Sequence, residues 1–121
     1  MATVEESLKE AMTIGGAVGV ALVDFGSGMT LGTAGGATGL DLEVAAAGNT
    51  EVIRAKMKTM QSLGLDDAIE DILITLGGQY HLIRLLAKHQ GLFMYLALTR
   101  DGSNLAMARR QLQSVEESLV L

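Results

Sequence analysis

The chain has 121 residues, 49% of them hydrophobic, with a net charge of −5 and a sequence pI near 4.9. That length suits one compact domain with a workable core, the hydrophobic fraction excludes a disordered chain, and the acidic balance without clustered Lys or Arg argues against a nucleic-acid partner or an anionic membrane surface. Cysteine is absent, which removes disulfides, thiolate metal sites and a cysteine nucleophile from consideration.

The opening MATVEESLKE is polar and acidic, unlike a secretory leader, and the most apolar segment, Gly15 to Leu22, is far too short to span a bilayer. A soluble cytoplasmic protein is the expectation. Thr3 with Glu6 forms a capping-box pattern, and Val4, Leu8, Ala11 and Met12 share one face, so a short amphipathic helix is predicted over 3–14, stopped by Gly15-Gly16. AVGVALVDF (17–25) is apolar at odd and even positions alike, the mark of a strand covered on both sheet faces. Asp24 to Gly28 reads as a hairpin turn into a strand over 29–34, and GGATG (35–39) as a flexible connection.

Residues 41–63 form the longest run readable as one helix, capped by Thr38 or Asp41 and closed by Gly64. At 100° per residue, Leu42, Ala46, Asn49, Ile53, Met57 and Met60 make a core stripe. The opposite side carries Val44, Ala47, Gly48, Ala55 and Thr59, interrupted by Glu51 and Lys58. Two readings of that side stand: a solvent face rich in alanine, or a second contact surface, most simply for the same helix of another copy.

An acidic linker, LDDAIED (65–71), leads to three strands at 72–76, 79–87 and 92–99, joined by a Gly77-Gly78 hairpin and a looser turn at Lys88 to Gly91. Tyr80, Leu82 and Leu86 oppose Ile83 and Leu85, and Leu92, Met94, Leu96 and Leu98 oppose Phe93 and Tyr95. A final helix over 104–119 shows a stripe of Leu105, Ala108, Leu112, Val115 and Leu119. The order α-β-β-α-β-β-β-α, with strands apolar on both faces, predicts an α+β sandwich: a five-stranded antiparallel sheet with the central helix on one face and the two terminal helices on the other.

The residues hold little that resembles chemistry. Nine of fifteen glycines fall between 15 and 39, yet no GxxxxGK[ST] follows, so they serve turns and close packing. Asp66, Asp67, Glu70 and Asp71 are spaced for a hard cation, but without an EF-hand pattern they read as a solvated loop. His81 is expected partly buried in a strand and His89 exposed in a turn, with no nucleophile beside either. No serine sits in a GxSxG elbow. Met57, Met60, Met94 and Met107 are read as core filling rather than an adaptable binding surface, and Arg109-Arg110 as a solvated face. No enzyme, metal or cofactor is expected.

The element order, GAVGVALVDFGSGMTLGTAG opening the sheet and SNLAMARRQL (103–112) opening the last helix together resemble the Roadblock (dynein light chain) family, of the bacterial MglB-like type, over nearly the whole chain. The resemblance implies a non-enzymatic homodimer whose central helices pair and whose third strands join into one continuous sheet, acting as a scaffold that regulates a small Ras-like GTPase or a signalling complex. On this sequence the implied dimer surface is Val44, Ala47, Gly48, Glu51, Ala55 and Thr59, with Ile72, Ile74 and Leu76. The competing expectation is a small-molecule sensor with a pocket between sheet and helix.

Overall fold

The computed structural model describes residues 1–36 and 39–121. Its elements run α1 (Val4–Ala11), β1 (Ala17–Asp24), β2 (Thr30–Gly35), α2 (Leu42–Ser62), β3 (Asp71–Thr75), β4 (Gln79–Leu85), β5 (Leu92–Thr99) and α3 (Leu105–Ser118). All three helices and five strands stand where the sequence places them, with bounds that agree to within three residues.

Local chemistry sets those ends. Thr3 caps α1 through a complete capping box: its hydroxyl accepts from Glu6 N, and Glu6 Oε1 accepts from Thr3 N at 2.9 Å. These same bonds hold the Glu6 carboxyl below its ordinary pKa. Beyond Ala11 the chain tightens, with Thr13 N bonding Glu10 O and Ile14 N bonding Ala11 O, so the helix ends earlier than its apolar pattern. Asp41 caps α2 by accepting from Glu43 N and Val44 N; the alternative cap, Thr38, lies outside the described residues. At the other end Gly64, at φ 70°, lets Leu65 N reach Met60 O and Gly64 N reach Gln61 O, a Schellman closure. Asn104 caps α3.

The sheet order is β2-β1-β5-β4-β3, with every neighbouring pair antiparallel. Strands β1 and β5, the most apolar, occupy the middle; β2 and β3 form the edges. One core fills the space between the sheet and α1 with α3, from Leu8, Ala11, Val20, Leu22, Leu82, Met94, Leu96, Leu98, Leu112 and Val115. The other lies under α2, from Ala21, Val23, Leu42, Ala46, Ile53, Ile83, Phe93, Tyr95 and Ala97. The two-faced reading of β4 and β5 therefore holds residue by residue. Gly32 lets α1 lie close to β2: a Cβ there would sit 2.8 Å from Leu8 Cδ1 and 3.1 Å from Val4 Cγ1, so those side chains of α1 would have to shift.

The stripe of α2 is only half used. Leu42, Ala46, Thr50 and Ile53 are buried, and burying a side chain like Ile53 contributes about 1.5–3 kcal/mol. Past Ile53 the helix overhangs the sheet: Met57 is 39% exposed and Met60 partly so, which corrects the expectation that both fill the core. Met107 is likewise exposed, whereas Met94 is fully buried.

Candidate interaction surface

Strand β3 pairs with β4 along one side only; among the described residues nothing hydrogen-bonds its outer side. It is an apolar edge. Leu73 and Leu76 are 40% and 43% exposed, while Ile72 and Ile74 are half-buried against the core beneath α2. Flat apolar edges of this kind template pairing with another strand unless something covers them.

The flank of α2 that looks toward this edge can be identified from its neighbours. Val52 and Lys56 share a shallow groove of about 620 Å³ with Ile69 to Ile72 and Arg109. On the far flank, Glu43 accepts from the Thr30 hydroxyl on β2, and Arg54 stacks over Phe25 at 5.0 Å. Ala47 belongs with that far flank, since its Cα lies 3.7 Å from where a Cβ on Gly28 would stand. The remaining residues of the expected dimer surface on α2, Val44, Gly48, Glu51, Ala55 and Thr59, are all exposed. A Cβ on Gly48 would meet nothing within 4 Å among the described residues, so there is space above it for a neighbour. Val52, 39% exposed and nearest the edge strand's groove, is the residue the helical-wheel reading passed over. That reading centred the second surface opposite the core stripe, whereas the sheet edge lies to one side of it.

At the end of the sheet a cleft of about 810 Å³ opens beneath the last turns of α2. Met57, Met60 and Leu65 form its roof, Phe25, Leu85 and Phe93 its floor, and Asp67, Glu70, Gln61 and Gln90 stand among its polar lining. Arg84 also lines it, but its Nε donates to Glu116 Oε1 at 2.7 Å, and that carboxylate is 3% exposed.

The other candidates resolve into structural roles. Asp71 belongs to β3 and receives two bonds from Arg109, at 2.7 and 3.2 Å, so one of the two arginines read as solvated clamps α3 to the edge strand. Among the described residues no three His, Cys, Asp or Glu side chains converge as metal ligands would. His81 lies on the α2 face of the sheet beside Ile74. Its Nε2 is 2.8 Å from Gln79 Oε1 and its Nδ1 3.1 Å from the Tyr95 hydroxyl, which assigns the proton to Nε2 and the donated Tyr95 hydrogen to Nδ1. Burial lowers the pKa of His81 and raises that of Tyr95. His89 is half-buried rather than exposed, with Nε2 3.1 Å from Leu119 O. The hydroxyl beside the His81 ring belongs to Tyr95, which is only 1% exposed, so the pair is a buried sheet contact. Among the described helices none is long and apolar enough to cross a membrane.

No protein-family model matches the sequence, and no curated protein does. Solved structures do match. A Roadblock/LC7 domain from Streptomyces avermitilis superposes with a TM-score of 0.81 at 11% identity, covering 97% of this chain and 94% of that one. MglB of Myxococcus xanthus gives a TM-score of 0.74 at 14% identity, over 92% of this chain and 77% of that one. MglC of Myxococcus xanthus gives 0.60 at 19% identity, over 93% and 92%. The fold is that of the Roadblock/LC7 domain, in the form shared with bacterial MglB-type structures.

Proposed function

We propose that this chain is a non-enzymatic homodimeric scaffold that binds and regulates a small Ras-like GTPase or a complex built around one. The observation that carries the reading is the unpaired apolar edge of β3 continuous with an exposed flank of α2 rich in small residues. A second copy related by a two-fold axis would pair β3 with β3 and bring the two α2 helices together over the joined sheet. Ile72, Ile74 and Leu76 would then meet their counterparts, and Gly48, Val52, Ala55 and Thr59 would line the helix contact, with Val44 and Glu51 at its margin. Ala47, beside Gly28, would stand outside it. The Roadblock fold and its MglB-type neighbours support the partner class.

Sedimentation of the parent and of Ala55→Arg tests the first half. The parent should be a dimer and the variant a monomer, or insoluble through its uncovered edge. A folded variant that sediments as the parent does sinks this interface. The partner is tested by affinity capture from extract of the source organism with GDP or a non-hydrolysable GTP analogue. Retention of a small GTPase in one nucleotide state only would establish regulation, since equal affinity for both states shifts no equilibrium.

A further inference from the structure

The cleft under α2 lies at the β4–β5 end of the molecule, and the self-association surface does not account for it. Its roof is the feature to explain. Met57 and Met60 continue the stripe that begins with the buried Leu42, Ala46 and Ile53, but at their level an open cleft separates the helix from the sheet. Leu85, Phe25 and Phe93 face them across the gap from the sheet. A volume near 810 Å³ falls within the roughly 300–1,000 Å³ of small-molecule sites. Methionine side chains on one wall adapt to a flexible apolar guest more readily than branched ones.

The charges at the opening choose the guest's polar end. Asp67 and Glu70 line the cleft, and among the described residues neither carboxylate has an ion-pair partner; the contact of Asp67 is with the adjacent Ala68 N–H at 2.8 Å. Arg84 is committed to the buried Glu116, and Arg109, on the far side of Glu70, is held by both oxygens of Asp71. Lys56 and Arg109 share the adjoining groove with Asp67 and Glu70, and Arg109 feels the Glu70 charge, but neither stands within ion-pair distance of these carboxylates; an anionic head would be repelled by them and a cationic one drawn to them.

We propose that this cleft binds a single-chain amphiphile: an unbranched apolar chain between α2 and the sheet, with a cationic ammonium head between Asp67 and Glu70. The proposal does not depend on the GTPase reading.

The test uses the full chain with its seven methionines carrying 13C-labelled methyl groups. It is titrated below the micellar range with decyltrimethylammonium, 1-decanol and decanoate. Saturable shifts confined to the Met57 and Met60 methyls, with the cation binding at least tenfold tighter than decanoate, are expected. Asp67→Asn/Glu70→Gln, both changes on exposed residues, should keep the spectrum of the folded protein and abolish that tenfold preference. Equal binding of decanoate overturns the charge argument. Shifts spread over all seven methyls, or none that saturate, overturn the site. If probe affinity instead falls as the protein is concentrated into its self-associated form, a second copy occupies the cleft and the proposal fails.

Discussion

Replacing Arg84 by methionine should be among the most damaging single changes in this protein. The guanidinium sits 2.7 Å from Glu116 Oε1, with 14% and 3% of the two side chains exposed, and the pair ties β4 to α3. Removing the cation keeps most of the side-chain volume but strands a carboxylate whose remaining contact is Lys88 N at 3.3 Å. Stranding one member of a buried pair costs about 3–5 kcal/mol, against a total stability of roughly 5–15 kcal/mol for a domain of this kind. The melting temperature should fall by roughly 10–20 °C. Glu116→Gln should cost less, about 1–2 kcal/mol, because a neutral acceptor still meets Arg84 and the cation can reach solvent. The double change Arg84→Met/Glu116→Leu should return to within about 1 kcal/mol of the parent, since apolar groups can replace a buried pair. Urea unfolding of the four proteins at pH 7 measures these differences, with a constant m-value as the check that only stability has moved. A cost below about 1 kcal/mol for Arg84→Met would mean the pair behaves as an exposed one. Arg84 would then be free to meet an anion, and the preference of the cleft for a cationic head would fall with it.

Three further outcomes follow from single observations. Among the described residues the buried Ser7 Oγ has no hydrogen-bond partner, so Ser7→Ala should stabilise the fold by about 1 kcal/mol; a loss of stability in urea unfolding would reveal a partner for the hydroxyl. Thr3→Ala removes the capping box and should cost about 1 kcal/mol, read as earlier amide exchange in α1 with the sheet unchanged. His81 has its pKa lowered by burial, so the unfolded state binds more protons and stability should fall as the pH drops through the ordinary value of 6.5. In His81→Gln that part of the slope should vanish, and an unchanged stability-versus-pH curve would show that His81 is not its source.

Much of this architecture was legible because its strands declare both faces. Tyr95 and Met94, adjacent in sequence, fall into opposite cores as the alternation requires, and glycine pairs or caps mark most element ends. What escaped the residue pattern depends on contacts between distant segments. Glu116 gives no sign in its own helix that it is buried; its partner lies on β4, thirty-two residues earlier. Thr50 reads as polar, yet it is buried because its hydroxyl bonds back to Ala46 O at 2.8 Å. Met57 reads as core because periodicity records which way a side chain points, not whether anything stands opposite. A helical wheel gives the core direction but not the side on which the sheet ends, so the pattern of α2 alone does not single out Val52 as the exposed residue beside the edge strand's groove.

The place of β1 beside β5 has a consequence for how the chain must be made. Ala17 pairs with Leu98 and Asp24 with Leu92, so the middle of the sheet closes only when the fifth strand is available. During synthesis β1 and β2 can form their hairpin early, but the other long edge of β1, one of the most apolar stretches of the chain, waits for nearly all the remaining residues to emerge. Through that interval the first strand is an open template. A slowed ribosome between β2 and β5 should therefore favour aggregation of nascent chains, even for a protein whose finished fold buries the middle of β1.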